Sequence, residues 1–268
     1  MNWVDSVIII AAGFAAGAIN TIVGAGSLIT YPVLVFLGVP PVVANISNTI
    51  GLSPGSISGA WAYRSELLGQ RTRMWRLVPV TLTGAIIGAV LLIMLPSSTF
   101  KIVVPFLILI SSILVGIQPW LFSRRGKRSR TAQKTAILGS TPVSRTEPIA
   151  PTRWAPLMIS VFLASVYGGY FSAAQGVILL GLLGLFMTDD VQRQNALKNL
   201  LQAVVNVVAA IFFIALGGVS WYLVALLALG SLLGAPAGAY LAKRVPAKLF
   251  RIGIVVFGVA MAYVMTLI

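Results

Sequence analysis

The chain has 268 residues, of which 58% are apolar and only 9% carry charge, where a soluble domain carries roughly 25% charged residues. It contains no cysteine and no histidine, which removes disulfides, thiol chemistry, the commonest metal ligand and the commonest proton carrier near neutral pH. The net charge of +14 belongs to an apolar chain, so it reports orientation in a lipid bilayer first, and no nucleic-acid partner is expected.

From the N-terminus, residues 3–37 form one apolar stretch, interrupted by Asn20 and by Gly24-Ala25-Gly26. At about 1.5 Å per residue this is too long for one span and short for two with a loop, so a pair of short helices meeting near the glycines is expected. No removable signal peptide is expected, since neither a basic n-region nor a cleavage site is present. Spans follow near 41–63, 75–95 and 100–122. The stretch 124–153 is basic and rich in Ser, Thr and Pro, a composition that reads as a flexible cytoplasmic linker. A second broken stretch at 154–187 carries Gln175-Gly176 at its middle, and spans near 194–216, 220–242 and 249–268 complete the chain. The expected organisation is a first transmembrane repeat at 1–123, the linker at 124–153 and a second repeat at 154–268.

The repeat is visible residue by residue. Trp75, Leu77-Val78, Gly84 and Gly88-Ala89 recur as Trp221, Leu223-Val224, Gly230 and Gly234-Ala235. Gly26 pairs with Gly176, Asn45 with Asn195, and Phe100-Lys101 with Phe250-Arg251, all about 150 residues apart. Arg64, Arg71, Arg73 and Arg76 place their segment in the cytoplasm, as does the run from Arg124 to Lys134. Lys243, Arg244, Lys248 and Arg251 occupy the turn equivalent to 96–101, which must be external. Equivalent turns therefore face opposite sides, and the copies are inverted. Inversion needs an odd number of crossings per copy. The expected fold is an all-α polytopic membrane protein of two inverted repeats, each with three full spans plus a broken pair. Eight spans, arranged as four plus four, are the alternative.

The acids are Asp5, Glu66, Glu147, Asp189 and Asp190, all at span ends or in loops, so no buried carboxylate relay is expected. Without histidine or paired acids, no hydrolase constellation can be assembled. No enzyme activity, cofactor or metal site is expected.

The candidate site is neutral and polar. Asn20, Thr21, Gly24, Gly26, Ser27 and Thr30 bracket the first break; Tyr170, Ser172, Gln175 and Gly176 bracket the second. An unwound glycine lets the following half-helix turn free N–H groups and a positive dipole end toward an anion. Helix packing is the competing reading for these glycines. Asn45, Ser47, Asn48 and Thr49 cluster on one span. Their counterparts Asn195, Asn199, Gln202 and Asn206 form a polar stripe at helical spacing. Such amides either line a substrate path or hydrogen-bond between helices. Lys198 either attracts an anion or snorkels to the interface near Asp189 and Asp190. The ladders Gly51-Gly55-Gly59, Gly84-Gly88 and Gly230-Gly234-Gly238 read as helix-packing contacts, and Trp61, Trp75, Trp120, Trp154 and Trp221 as an interfacial belt.

The run Gly17-Ala-Ile-Asn20-Thr-Ile-Val-Gly24-Ala-Gly26-Ser-Leu, the segment Asn45 to Thr49 and the duplicated layout resemble the TauE/SafE sulfite exporter family over essentially the whole chain. The resemblance implies a permease of the bacterial inner membrane that moves sulfite or an organosulfonate. Family polar positions carry onto Gly24, Gly26, Asn45 and Asn48, and more loosely onto Gln175, Gly176, Asn195 and Asn199. Export by alternating access is the expected direction and mechanism. Coupling to H⁺ or Na⁺ and assembly as a homo-oligomer stay open. An integral-membrane enzyme or a non-transporting subunit are the competing classes.

Overall fold

The computed structural model describes residues 2–100, 102–117, 153–187, 189–242 and 247–267, apart from the side chains of several α10 residues. The chain runs through α1 (Trp3–Ile22), α2 (Ser27–Phe36), α3 (Pro41–Ala62), a 3-10 turn (Arg64–Leu67) and α4 (Arg71–Met94). It continues through α5 (Ser97–Ile117), α6 (Trp154–Tyr170), α7 (Gln175–Phe186), α8 (Val191–Leu216), α9 (Trp221–Leu241) and α10 (Ala247–Leu267). No strand occurs among the described residues. The expected linker at 124–153, apart from Arg153, lies outside the described residues, as do Trp120, Lys243 and Arg244.

Helix starts follow local chemistry. Asn2 and Asp5 form a reciprocal capping box at α1, Pro41 occupies the first position of α3, and Asp190 accepts the Gln192 N–H at 3.0 Å to open α8. Five helices, α1, α4, α5, α8 and α9, are long and apolar enough to cross a membrane. α3 has 22 residues yet is not among them, because Asn45, Ser47, Asn48 and Ser53 lower its hydropathy. It is instead largely enclosed by protein. Large apolar side chains such as Phe14, Ile87, Leu163, Ile211 and Leu233 face outward, as lipid-facing positions do. The chain is a multi-pass membrane protein.

Three expectations shift. α1 is a full 20-residue helix, about 30 Å long, so the first stretch is one long and one short helix rather than two short ones. α4 begins at Arg71, so Arg71, Arg73 and Arg76 lie on its first turns and not in a loop. Gln175 and Gly176 open α7, and the second break is Phe171–Ala174, four residues without a glycine.

Close backbone packing ties helices from opposite halves. A Cβ at Gly17 would stand 2.4 Å from the Ser231 carbonyl, and one at Gly234 would stand 2.0 Å from the Phe14 carbonyl, so α1 and α9 touch backbone to backbone. Gly88 and Gly169 bring α4 and α6 together in the same way, with Cβ positions 2.1 Å from the Val166 carbonyl and 2.4 Å from the Ala85 carbonyl. α3 meanwhile packs on α8. The first helix of each half thus packs on the fourth of the other, and the two third helices pack on each other.

Candidate functional site: two helix breaks in contact

The two breaks meet each other. Gly24 has φ +86°, and a Cβ there would lie 2.4 Å from the Gly176 Cα. Both the backbone conformation and the close approach therefore require glycine. The Gly176 N–H donates to the Gly24 carbonyl at 3.0 Å, and the Ser27 and Ser172 hydroxyls pair at 3.0 Å. Ala174, with φ +54°, is the only non-glycine with positive φ among the described residues. It stands where Gly24 stands in the first copy.

Amides from the opposite half hold the broken ends. The last carbonyls of a helix have no partner within it. At the end of α1, the Asn20 carbonyl accepts from Lys198 Nζ at 3.0 Å. The Thr21 carbonyl accepts from Asn195 Nδ2 at 3.3 Å, Lys198 Nζ at 3.4 Å and Asn199 Nδ2 at 3.5 Å. At the end of α6, Asn45 Nδ2 donates to the Tyr170 carbonyl at 3.1 Å. Asn45 and Asn195, equivalent in the repeat, do equivalent work. The Asn20 side chain ties the next layer: its Oδ1 accepts from the Gly26 N–H at 3.3 Å and from Gln202 Nε2 at 2.8 Å. Ser56 Oγ receives Asn206 Nδ2 at 2.7 Å and Asn20 Nδ2 at 3.5 Å. Thr49 is buried, and its carbonyl accepts from Ser53 Oγ at 2.7 Å.

This corrects two expectations. The Gly26 and Gly176 N–H groups, read as open to an anion, are taken by Asn20 and Gly24. Lys198 does not snorkel: it is 0% exposed, and its ammonium points at α1 rather than toward Asp189 or Asp190.

All thirteen candidates, Asn20, Gly24, Gly26, Ser27, Asn45, Asn48, Thr49, Gln175, Gly176, Asn195, Lys198, Asn199 and Gln202, are buried within the protein. They face protein rather than acyl chains, as amides at membrane depth must. Open hydrogen-bonding capacity is confined to a few of them. Asn48 Oδ1 accepts from Thr30 Oγ1 in a very short contact, while its Nδ2 has no partner. Gln175 is 0% exposed, and neither Oε1 nor Nε2 has one. Gly168 makes room for it, since a Cβ there would sit 2.2 Å from the Gln175 Cδ. An unmet buried amide costs about 1–3 kcal/mol, and the carboxamide oxygens of Asn45 and Asn195 are unmet as well.

Comparison with known proteins gives the arrangement its family. Residues 9–265 match the family described as sulfite exporter TauE/SafE. The chain belongs to that family. It is similar to a probable membrane transporter protein of Sinorhizobium, with 27% identity over 94% of this chain and 88% of the relative. A probable membrane transporter protein of Haemophilus influenzae shares 24% over 97% and 92% of the two chains. One of Escherichia coli shares 24% over 92% and 84%. No solved structure matches. This TauE/SafE chain is a membrane transporter, not an enzyme, and its partners are a small-molecule substrate and membrane lipid.

At one end of this transporter an ionic cluster joins the halves. Arg73, on the first turn of α4, makes a very short contact with the Asp189 carboxylate, and Arg193 reaches the same carboxylate at 3.3 Å. Gln70 Nε2 donates to the Arg193 carbonyl at 3.0 Å, and Arg193 donates to the Leu68 carbonyl at 3.1 Å. Burial pushes the Asp189 pKa up, but hydrogen bonds from Arg73 and the Asp190 N–H, with the Arg73 and Arg193 charges, hold it below its ordinary value. Near the repeat-equivalent loop between α8 and α9, the Ser220 N–H donates to Ser47 Oγ of α3 at 3.3 Å.

Sequence reasoning missed the residues that pin the second break. The Tyr167 hydroxyl and Ser111 Oγ both donate to the Ala173 carbonyl, at 2.6 and 3.3 Å, and lie 2.8 Å from each other. It also missed Ser56 and the edge-on ring cluster of Tyr31, Phe100, Tyr170 and Phe171. A serine in an apolar span and aromatic residues at helical spacing carry no signal that separates such roles from core packing.

Proposed function

We propose that this transporter moves a small sulfur-containing anion, sulfite or an organosulfonate, outward across the bacterial inner membrane. It works by alternating access around the contact between the two breaks, with the repeats inverted across the membrane plane. The observation that carries this reading is Gln175: a completely buried amide at the first residue of α7, unpaired at both ends, beside the place where the breaks touch. Asn48, with its open Nδ2, supplies a second neutral donor. Neutral donors in an enclosed site suit a weakly held anion that must leave again, and one negative charge moving down 100 mV gains about 2.3 kcal/mol. The family name supports the sulfur chemistry, and the reciprocal helix contacts support a two-fold arrangement. Asn45, Asn195, Asn199 and Gln202 position the breaks in this reading, while Gly24, Gly26, Gly176, Asn20, Ser27 and Thr49 shape the enclosed space. Counterflow of labelled sulfite and of organosulfonates in proteoliposomes tests it. Saturable exchange is expected, and an absence of flux for every sulfur anion tried overturns the reading.

A further inference from the structure

Lys198 is the anomaly of the buried layer. Its side chain is enclosed completely, and no carboxylate of the described residues pairs with it: their ion pairs are Arg73 and Arg193 with Asp189. Removing an ion from water costs several kcal/mol. What offsets that here is neutral: two carbonyls at the C-terminal, electronegative end of α1. Capping does not by itself require an ammonium. The equivalent end of α6 is held by the Asn45 amide, and Asn48, at the place of Lys198 in the first copy, bonds Thr30 instead. The Thr21 carbonyl keeps Asn195 and Asn199 as donors whether or not Lys198 is charged. The Asn20 carbonyl depends on Lys198 among the described bonds.

The surroundings hold no competing proton carrier in direct contact. On α8 itself Lys198 is flanked by Asn195, Asn199 and Gln202; α7 brings no titratable residue. α4 brings Arg73, paired with Asp189, and α6 brings Tyr167, whose hydroxyl is spent on Ala173. The 3-10 turn brings Arg64 and Glu66, neither of them buried. The end of α3 brings Tyr63 beside Asn195, and the acid of α1, Asp5, lies in its first turn at the opposite end.

We propose that Lys198 is a proton-binding site that couples transport to protons: as an ammonium it clamps the end of α1 to α8, and as an amine it releases the first break to move. The proton lost passes to water on whichever side is open, leaving the neutral amine, and returns from water to restore the clamp. The clamp is therefore present at low pH and lost as pH rises.

This rests on the transporter reading but is tested apart from its substrate. The chain has no cysteine, so Ser27→Cys places a single thiol in the break, and its labelling by a thiosulfonate is followed against pH. The same substitution with Lys198→Arg, which keeps its charge throughout, corrects for ionisation of the thiol itself. The ratio of the two labelling rates should climb by about tenfold or more as pH rises and the clamp opens. A flat ratio overturns the proposal. Should the arginine variant fail to fold, Lys198→Gln serves as the reference: with no charge to lose, it should label fast at every pH, and slow labelling like that of the parent at low pH counts against the clamp. In proteoliposomes, efflux of methanesulfonate, which does not titrate, should move protons detectable by an internal pH dye, and Lys198→Gln should abolish that proton signal. Anion flux with no proton movement overturns the coupling and leaves the anion reading intact; no anion flux with a pH-dependent labelling ratio does the reverse.

Discussion

The two breaks do the same job with different means. The first bends at a glycine and is held by three side chains of α8, one of them cationic. The second bends at Ala174 and is held by the amide of Asn45, with Tyr167 and Ser111 fixing the carbonyl of Ala173. The first break carries little backbone strain and many partners. The second carries strain at Ala174 and an amide, Gln175, with no partner at all. Anchoring is thus divided unequally: the first break has more partners, while unmet amide atoms lie in both copies, at Asn48 Nδ2 and at Gln175.

Substitutions can break that division. The largest effect is expected at the contact both breaks share. Gly24→Ala puts a Cβ 2.4 Å from the Gly176 backbone at a φ of +86°, and should cost about 3 kcal/mol or more. Loss of monodisperse protein in size-exclusion chromatography is the expected result, and a variant with parental yield and melting temperature would contradict the contact.

The ionic cluster comes next. Asp189→Asn leaves Arg73 buried without its carboxylate and should destabilise by about 1–3 kcal/mol, read from thermal unfolding in detergent. Because the Asp189 pKa is lowered on folding, its contribution is present above the unfolded value and fades as pH falls through the lower folded one. The parent should lose this increment in acid while Asp189→Asn shows no such loss.

Asn45 and Gln175 should respond with opposite signs. Asn45→Leu orphans the Tyr170 carbonyl and should destabilise by about 1–3 kcal/mol; Gln175→Met removes two unmet polar atoms and should leave stability equal or raise it by about 1 kcal/mol. Flux should nevertheless fall at least about tenfold in Gln175→Met if its amide meets the anion, a loss equal to about 1.4 kcal/mol. Equal stability loss in both variants would mean Gln175 is structural. The smallest effect is Ala174→Gly, which relieves left-handed strain of about 1 kcal/mol and should raise the melting temperature slightly; a decrease would place the strain elsewhere.

Much of the architecture was legible because lipid and broken helices leave coarse marks. Apolar runs located the helices, and Gly24-Ala25-Gly26 located the first break. The second break was placed between Tyr170 and Gly176, where it lies, but its bend went unassigned because the left-handed residue is an alanine; the glycine that drew attention, Gly176, matters for its contact with Gly24 and not for the bend. The amides were visible as a polar stripe, but their partners were not. Asn195 and Asn199 cap a helix some 175 residues away in sequence, and spacing along α8 cannot show which carbonyl waits across the seam. Arg73 and Asp189 were read separately, one as a marker of the cytoplasmic side and one as an acid too peripheral for a relay. Only folding brings them into one pair.

The glycine-lined seams carry a mechanical consequence. Where α1 meets α9 and α4 meets α6, backbones touch with no side chain between them to act as a bearing. Each such couple joins a helix from one half of the chain to a helix from the other. If transport proceeds by alternating access as proposed, the moving unit would be such a couple and not the piece that duplicates along the sequence. Any rocking must carry interleaved couples drawn from both halves, so a half alone would have neither a complete moving part nor a complete frame to move against.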